Sequence, residues 1–169
     1  GSNKTNALLL AGVGSETTIN NVMMSYSAGN SLSVFGGKAS LYKIISYRAK
    51  NIDYNFNYGT KSNINNSLAL RSPYVSSGVF KCISVASNIN NDSDLSMDGT
   101  EVTATNMTLL TDVDDIEYAI NSGLVRESIY IGENTNFKME RSVISGFSKA
   151  VLLNKNIDVN DANLSRTQF

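Results

Sequence analysis

Val22-Met23-Met24-Ser25-Tyr26-Ser27 is echoed by Ile44-Ile45-Ser46-Tyr47-Arg48, and that in turn by Ser67-Leu68-Ala69-Leu70-Arg71. Setting Tyr26 on Tyr47 and Tyr47 on Leu70 gives a period in the low twenties, the length that one coil of a β-solenoid needs. A coil of that kind cannot bury its inner face alone, so successive coils must stack. Glycine-bearing pairs punctuate the matching segments: Gly36-Gly37 lies between the first two and Tyr58-Gly59 between the next two. Corners of a solenoid call for positive φ or close backbone approach, which glycine tolerates. A hairpin turn in a β-sandwich is the alternative use of such pairs, but hairpins reverse the chain whereas this pattern repeats in one direction. The expectation is an all-β fold, a right-handed parallel β-helix of about six to seven coils, forming a single domain over residues 1–169.

Working outward, other short runs rich in Val, Ile, Leu, Tyr, Met or Thr read as strands: 19–27, 41–48, 64–71, 79–86, 101–110, 128–132 and 141–153. One stretch departs from this character. In 112–122, acidic residues crowd the start, Gly123 stops the run, and Ile116, Ala119 and Ile120 share a helical face. A short helix is expected there, capped by Thr111 or Asp112 and laid against the side of the solenoid. Residues 87–100 read as a polar loop.

Composition agrees with the fold and excludes several functions. The chain has 22 Asn and 23 Ser but only 17% charged residues, so its polarity is neutral and suited to turns and outward strand positions. With a net charge of -1 there is no basic stripe, which argues against nucleic acid as a partner. No apolar run is long enough for a membrane-spanning segment. Gly1-Ser2 reads as a cloning scar, so the lack of a leader says nothing about compartment. Cys82 has no partner for an intramolecular disulfide and reads as a small buried hydrophobe. Without histidine, neither a Cys-His dyad nor a Ser-His-Asp triad can form, and Gly12-Val13-Gly14 lacks the lysine of a phosphate loop.

The run Leu10-Ala11-Gly12-Val13-Gly14-Ser15-Glu16-Thr17-Thr18-Ile19, with Ser25-Tyr26-Ser27, Phe35-Gly36-Gly37, Tyr47-Arg48 and Leu68-Ala69-Leu70-Arg71-Ser72-Pro73, resembles a family of uncharacterised secreted or outer-membrane β-helix proteins of the Bacteroidota, many of them labelled lipoproteins. The later stretch from Asn136 to Phe147, followed by Ala150-Val151-Leu152-Leu153, is similar to their C-terminal coil. The resemblance implies a right-handed β-helix and a secreted or outer-membrane surface location, with no defined reaction. It also implies a further N-terminal part of the helix, which makes this chain a fragment. Acidic positions of that family are thinned here: Ala28-Gly29-Asn30 follows Ser-Tyr-Ser, and only Asp53 is retained in the stretch from Ala49 to Asn57.

Three groups of residues are candidates for chemistry. Tyr54, Phe56 and Tyr58 alternate at period two and would share a strand face, stacking on sugar rings if exposed and filling the core if not. Arg48 and Arg71, one coil apart, would form an outward basic ladder or lie at coil edges as ordinary solvent-facing residues. Asp92, Asp94 and Asp98, beside Glu101, have the Asp-x-Asp spacing of a calcium loop. Yet Ser96 and Met97 stand at the fifth and sixth positions and Gly99 falls too late. Ca²⁺ is the one cofactor that the sequence suggests. Asp112, Asp114 and Asp115 read as charge at a helix N-terminus.

These features lead to an exported cell-surface module with a structural, adhesive or glycan-binding role, its partner a glycan or another surface protein. Two alternatives stand beside it. A polysaccharide lyase or glycoside hydrolase of β-helix type needs converging acids in a groove, and no two acids here recur at one-coil spacing on a shared face. A phage fibre or tailspike segment needs a trimer interface.

Overall fold

In a computed structural model that describes residues 4–76, 78, 80–87, 99–157 and 167–169, the chain winds through six coils of parallel strands. Face 1 of each coil is a single strand: β1 (Leu8–Ala11), β3 (Leu32–Phe35), β5 (Ile52–Asn57), β8 (Lys81–Val85), β11 (Glu127–Ile131) and β14 (Lys149–Leu153) form one sheet in that order. The second sheet carries two faces. In coils 1 and 2 a single bent strand, β2 (Thr17–Ser25) or β4 (Ala39–Tyr47), serves both. In coils 3 to 5 the two faces are separate strands: β6 (Lys61–Asn65) and β7 (Leu68–Arg71), β9 (Thr100–Thr105) and β10 (Thr108–Thr111), β12 (Thr135–Glu140) and β13 (Val143–Ser145). β15 (Thr167–Gln168) pairs with β12. Every strand pairing is parallel, from Leu8 on Leu32 through Ile129 on Val151. The expected parallel β-helix is therefore present, with six coils.

The bend between faces 2 and 3 has a local cause. Asn21, Lys43, Asn66, Asn106 and Arg141 all have φ near +50°, and neighbouring registers stack them one above another. A left-handed residue inserts one extra outward position. Leu41 points in and Tyr42 out, Lys43 stays out, and Ile44 points in again. Each corner thus resets the period-two alternation. Between faces 1 and 2, Gly36 and Gly37 (φ +62° and +67°) and Tyr58 and Gly59 (φ +56° and +70°) turn the chain, as their positions suggested.

Inward side chains pile into one core that includes Leu32, Tyr54, Ile83 and Ile129 in a column, with Val34, Phe56, Val85 and Ile131 beside it. The Tyr54 hydroxyl crosses the interior and shares its one proton between the carbonyls of Ile44 and Leu68, at 2.9 and 2.6 Å. At the corner from face 3 to face 1, the column Ser31, Asp53, Cys82, Ser128 is wholly buried. Cys82 is thus the small buried side chain expected.

Several sequence expectations are corrected. The strands β1, β3, β5 and β12 went unread, and the spans 64–71 and 101–110 are each split by a left-handed asparagine. Tyr26 is not over Tyr47 inside the solenoid: Ser25 pairs with Tyr47, so the repeat there is one residue longer. Tyr26 is 57% exposed and meets Tyr47 edge-to-face outside, at 5.4 Å. Leu70 does pair with Tyr47. The helix α1 is Ile116–Asn121, and its cap is Asp115, whose carboxylate accepts from the Tyr118 amide at 2.9 Å. Of its expected apolar face only Ala119 is buried, in a side cluster with Phe80 and Val125, while Ile116 and Ile120 are 40% and 37% exposed.

Candidate functional site

Outward residues of face 2 repeat a polar-apolar-polar triplet: Ser40-Leu41-Tyr42, Asn63-Ile64-Asn65 and Thr103-Ala104-Thr105. Leu41, Ile64 and Ala104 are buried, so the alternation of a strand sends the flanking polar residues outward. Parallel register then aligns Ser40 with Asn63 and Thr103, and Tyr42 with Asn65 and Thr105. These residues line an open groove of about 320 Å³ on coils 2 to 4. Tyr42 is 41% exposed and gives the groove an aromatic surface among hydroxyls and amides. The corner ladder steadies one of those amides, since Asn106 Nδ2 donates to Asn65 Oδ1 at 3.3 Å and Arg141 Nε donates to Asn106 Oδ1 at 3.3 Å.

Charge is confined to the margins. Lys61 meets Glu101 at 3.6 Å, and Lys138 meets Glu140 at 2.7 Å. The hydrogen bond and charge of Lys138 hold the Glu140 carboxyl below the usual carboxylate range. Glu101 pairs with Asn136, four residues before Glu140, which puts the backbones of the two acids on the order of 14 Å apart. Each acid is tied to its own lysine. A neutral wall of this kind offers donors, acceptors and one ring face, which suits a ligand rich in hydroxyls and short of charge. Beside it, Gly99, Glu101, Asn134, Thr135 and Asn136 line a second depression of about 240 Å³.

The candidates named from the sequence do not come together here. Tyr54 and Phe56 are fully buried in the core, out of reach of any sugar. Tyr58 turns outward at a corner, edge-to-face with Phe35 at 5.3 Å. Arg48 is on the outside, bonded to Asp112 at 2.5 Å and lying over the Tyr47 ring at 5.1 Å. Arg71 is neither a ladder partner of Arg48 nor solvent-facing: it is fully buried, its Nη1 donating to Asp53 at 2.7 Å and to the Lys81 carbonyl at 2.9 Å. Asp53 also accepts from Ser46, which contacts Ser31 at 2.6 Å. Burial lifts the Asp53 carboxyl above its ordinary range, with Arg71 and Ser46 opposing. Asp92, Asp94 and Asp98 lie outside the described residues. Among the described residues, no three metal-ligating side chains converge and no helix is long and apolar enough to cross a membrane. The groove residues Ser40, Tyr42, Asn63, Asn65, Thr103 and Thr105 were missed in the sequence, although the recurring triplet was there to be read.

Comparison with known proteins gives one family-level finding: a family model described as pectate-lyase like beta helix domain matches residues 1–169. No curated protein and no solved structure matches the chain.

Proposed function

Since this chain belongs to the family of pectate-lyase-like β-helix domains, we propose that it is a non-catalytic, carbohydrate-binding member, working at the cell exterior. The observation that carries this reading is the groove lined by Ser40, Asn63, Asn65, Thr103 and Thr105 with an exposed Tyr42 at its coil-2 end. Sugars present hydroxyls to such amides and hydroxyls, and their C–H faces stack on a tyrosine ring. Glu101 and Glu140 are each paired with a lysine, which weighs against glycosidase chemistry at the same place.

A glycan array followed by calorimetry on the best ligand, with and without Ca²⁺, tests the proposal. A neutral glycan is expected to bind, and Tyr42→Ala to weaken it roughly tenfold, the loss of about 1.4 kcal/mol of stacking and contact. Asn63→Ala is expected to weaken it by a smaller factor. A screen without binders, binding untouched by both substitutions, or release of cleaved oligosaccharide from the ligand would each overturn it.

A further inference from the structure

Thr103 and Glu101 are two residues apart on β9, so both turn outward about 7 Å apart, while Val102 between them points inward and is buried. Only backbone therefore separates the groove on coils 2 to 4 from the depression lined by Gly99, Glu101, Asn134, Thr135 and Asn136 on coils 4 and 5. Register fixes the direction of the joined track. Tyr42 pairs with Asn65, and Asn65 with Thr105, whereas Glu101, near the start of that same strand, pairs with Asn136. From Tyr42 to Asn136 the track thus climbs over coils 2 to 5 and shifts toward the starts of the strands, about 20 Å on the diagonal. Lys138 and Glu140, bonded to each other at 2.7 Å, stand on coil 5 to one side of it, and Lys61 stands on coil 3 to the other.

We propose that the depression on coils 4 and 5 is a second sugar subsite, and that the ligand is an internal stretch of a linear, uncharged glycan laid obliquely across coils 2 to 5. The inference rests on the carbohydrate-binding reading of the groove and adds to it the size and form of the ligand. Length sets the size: about 20 Å is the span of roughly four linked sugar rings. Chemistry distinguishes the two ends. Tyr42 offers a ring face to the C–H side of one sugar, whereas Glu101 and Asn136 offer acceptors and donors to the hydroxyls of another. The Glu101 carboxylate has about four acceptor positions, and Lys61 reaches one of its oxygens at 3.6 Å. Acceptor capacity is left for a pair of neighbouring sugar hydroxyls in charge-assisted hydrogen bonds. Lys61 balances the charge of Glu101, so this end gains nothing from an ionised sugar. Continuity sets the form. Past Tyr42 the same outward columns run on to exposed Thr18 and Asn20 of coil 1, a surface that lets the chain continue rather than one that holds its end.

Calorimetry with oligosaccharides of two to six units from cellulose, xylan, mannan and laminarin, and with oligogalacturonate of the same sizes, tests this. In the neutral series that binds, affinity is expected to rise roughly tenfold or more from two units to four, and the parent polysaccharide to compete with its own tetrasaccharide. Glu101→Gln and Asn136→Ala, both at exposed positions, are each expected to remove most of that rise with an unchanged melting temperature. Binding that is as tight for two units as for four, or a rise that survives both substitutions, would overturn the second subsite and leave the carbohydrate reading standing. A polysaccharide that fails to compete would show a site for chain ends, and oligogalacturonate bound more tightly than every neutral series would show a ligand selected by charge; each contradicts the proposal. Silence from all five series would instead overturn the carbohydrate reading itself, and this inference with it.

Discussion

Arg71 and Asp53 hold opposite charges in an interior whose other buried polar side chains, among the described residues, are neutral. Burying both is costly, and the pair repays that cost only while each has the other and the surrounding Ser46, Ser31 and carbonyl partners. Arg71→Ala is therefore expected to lower stability by about 3–5 kcal/mol by chemical denaturation, whereas Arg71→Met combined with Asp53→Leu is expected to recover most of the loss. A double variant no better than the single one would argue that shape, not charge, makes Arg71 necessary. The pH dependence has a definite sign. Because burial raises the folded pKa of Asp53 above the ordinary 3.8, the folded state holds this proton more tightly than the unfolded chain. The Asp53 contribution is fully favourable below the unfolded pKa and is lost as pH rises through the folded one. The parent is thus expected to lose ground to Asp53→Asn as pH increases above 3.8, and the opposite trend in denaturation midpoints would contradict it. Next in the same column, Cys82 has its thiol pushed well above 9.0 by burial. It should resist alkylation in the folded protein and react only on unfolding.

At the scale of elements, corners decide the architecture more than strands do. Left-handed backbone costs an ordinary L-residue about 1–2 kcal/mol, less for asparagine and nothing for glycine. Three of the five ladder positions are asparagine, but Lys43 sits at φ +52°. Lys43→Asn is expected to raise stability by about 0.5–1 kcal/mol, seen as a higher melting temperature. The Gly36-Gly37 corner has the opposite expectation. A Cβ on Gly37 would lie 2.3 Å from the Val13 carbonyl oxygen of the coil before it, at φ +67°, and backbone cannot move aside as a side chain can. Gly37→Ala should cost about 2 kcal/mol or more, and a neutral result would mean that coils 1 and 2 can separate. The helix is a smaller matter: Asp115→Ala removes its cap and about 1 kcal/mol.

Taken as a whole molecule, the solenoid sorts its outer faces by chemistry. Face 2 is hydroxyl and amide with charge at its margins, whereas face 3 is largely aliphatic, Met23, Ile45, Leu68 and Val143 sharing one outward column. The groove exists only because coils 2, 3 and 4 are in register, so it depends on interior contacts such as Tyr54 to Ile44 and Leu68. Loss of the Tyr54 hydroxyl in Tyr54→Phe, which removes its hydrogen bonding to the Ile44 and Leu68 carbonyls, should lower stability by about 1 kcal/mol. Glycan affinity at temperatures where the protein stays folded should be unchanged, which separates its structural role from the direct contact assigned to Tyr42.

The sequence by itself determined a parallel solenoid of short strands, the glycine-bearing corners at residues 36–37 and 58–59, the stacking of Leu70 on Tyr47, and a helix before Gly123, because these follow from local preference and a repeat. Which way Arg71, Leu68 and Tyr26 turn was decided only by the tertiary structure. Alternation carried straight on from Ile64 would bury Leu68 and Leu70 and expose Arg71; the left-handed Asn66 adds one outward position and reverses all three. Strand propensity does not mark that insertion, since asparagine is common throughout this chain. Nor could local reading assemble a groove from Tyr42, Asn63 and Thr103, whose proximity comes from the register of stacked coils rather than from nearness along the chain.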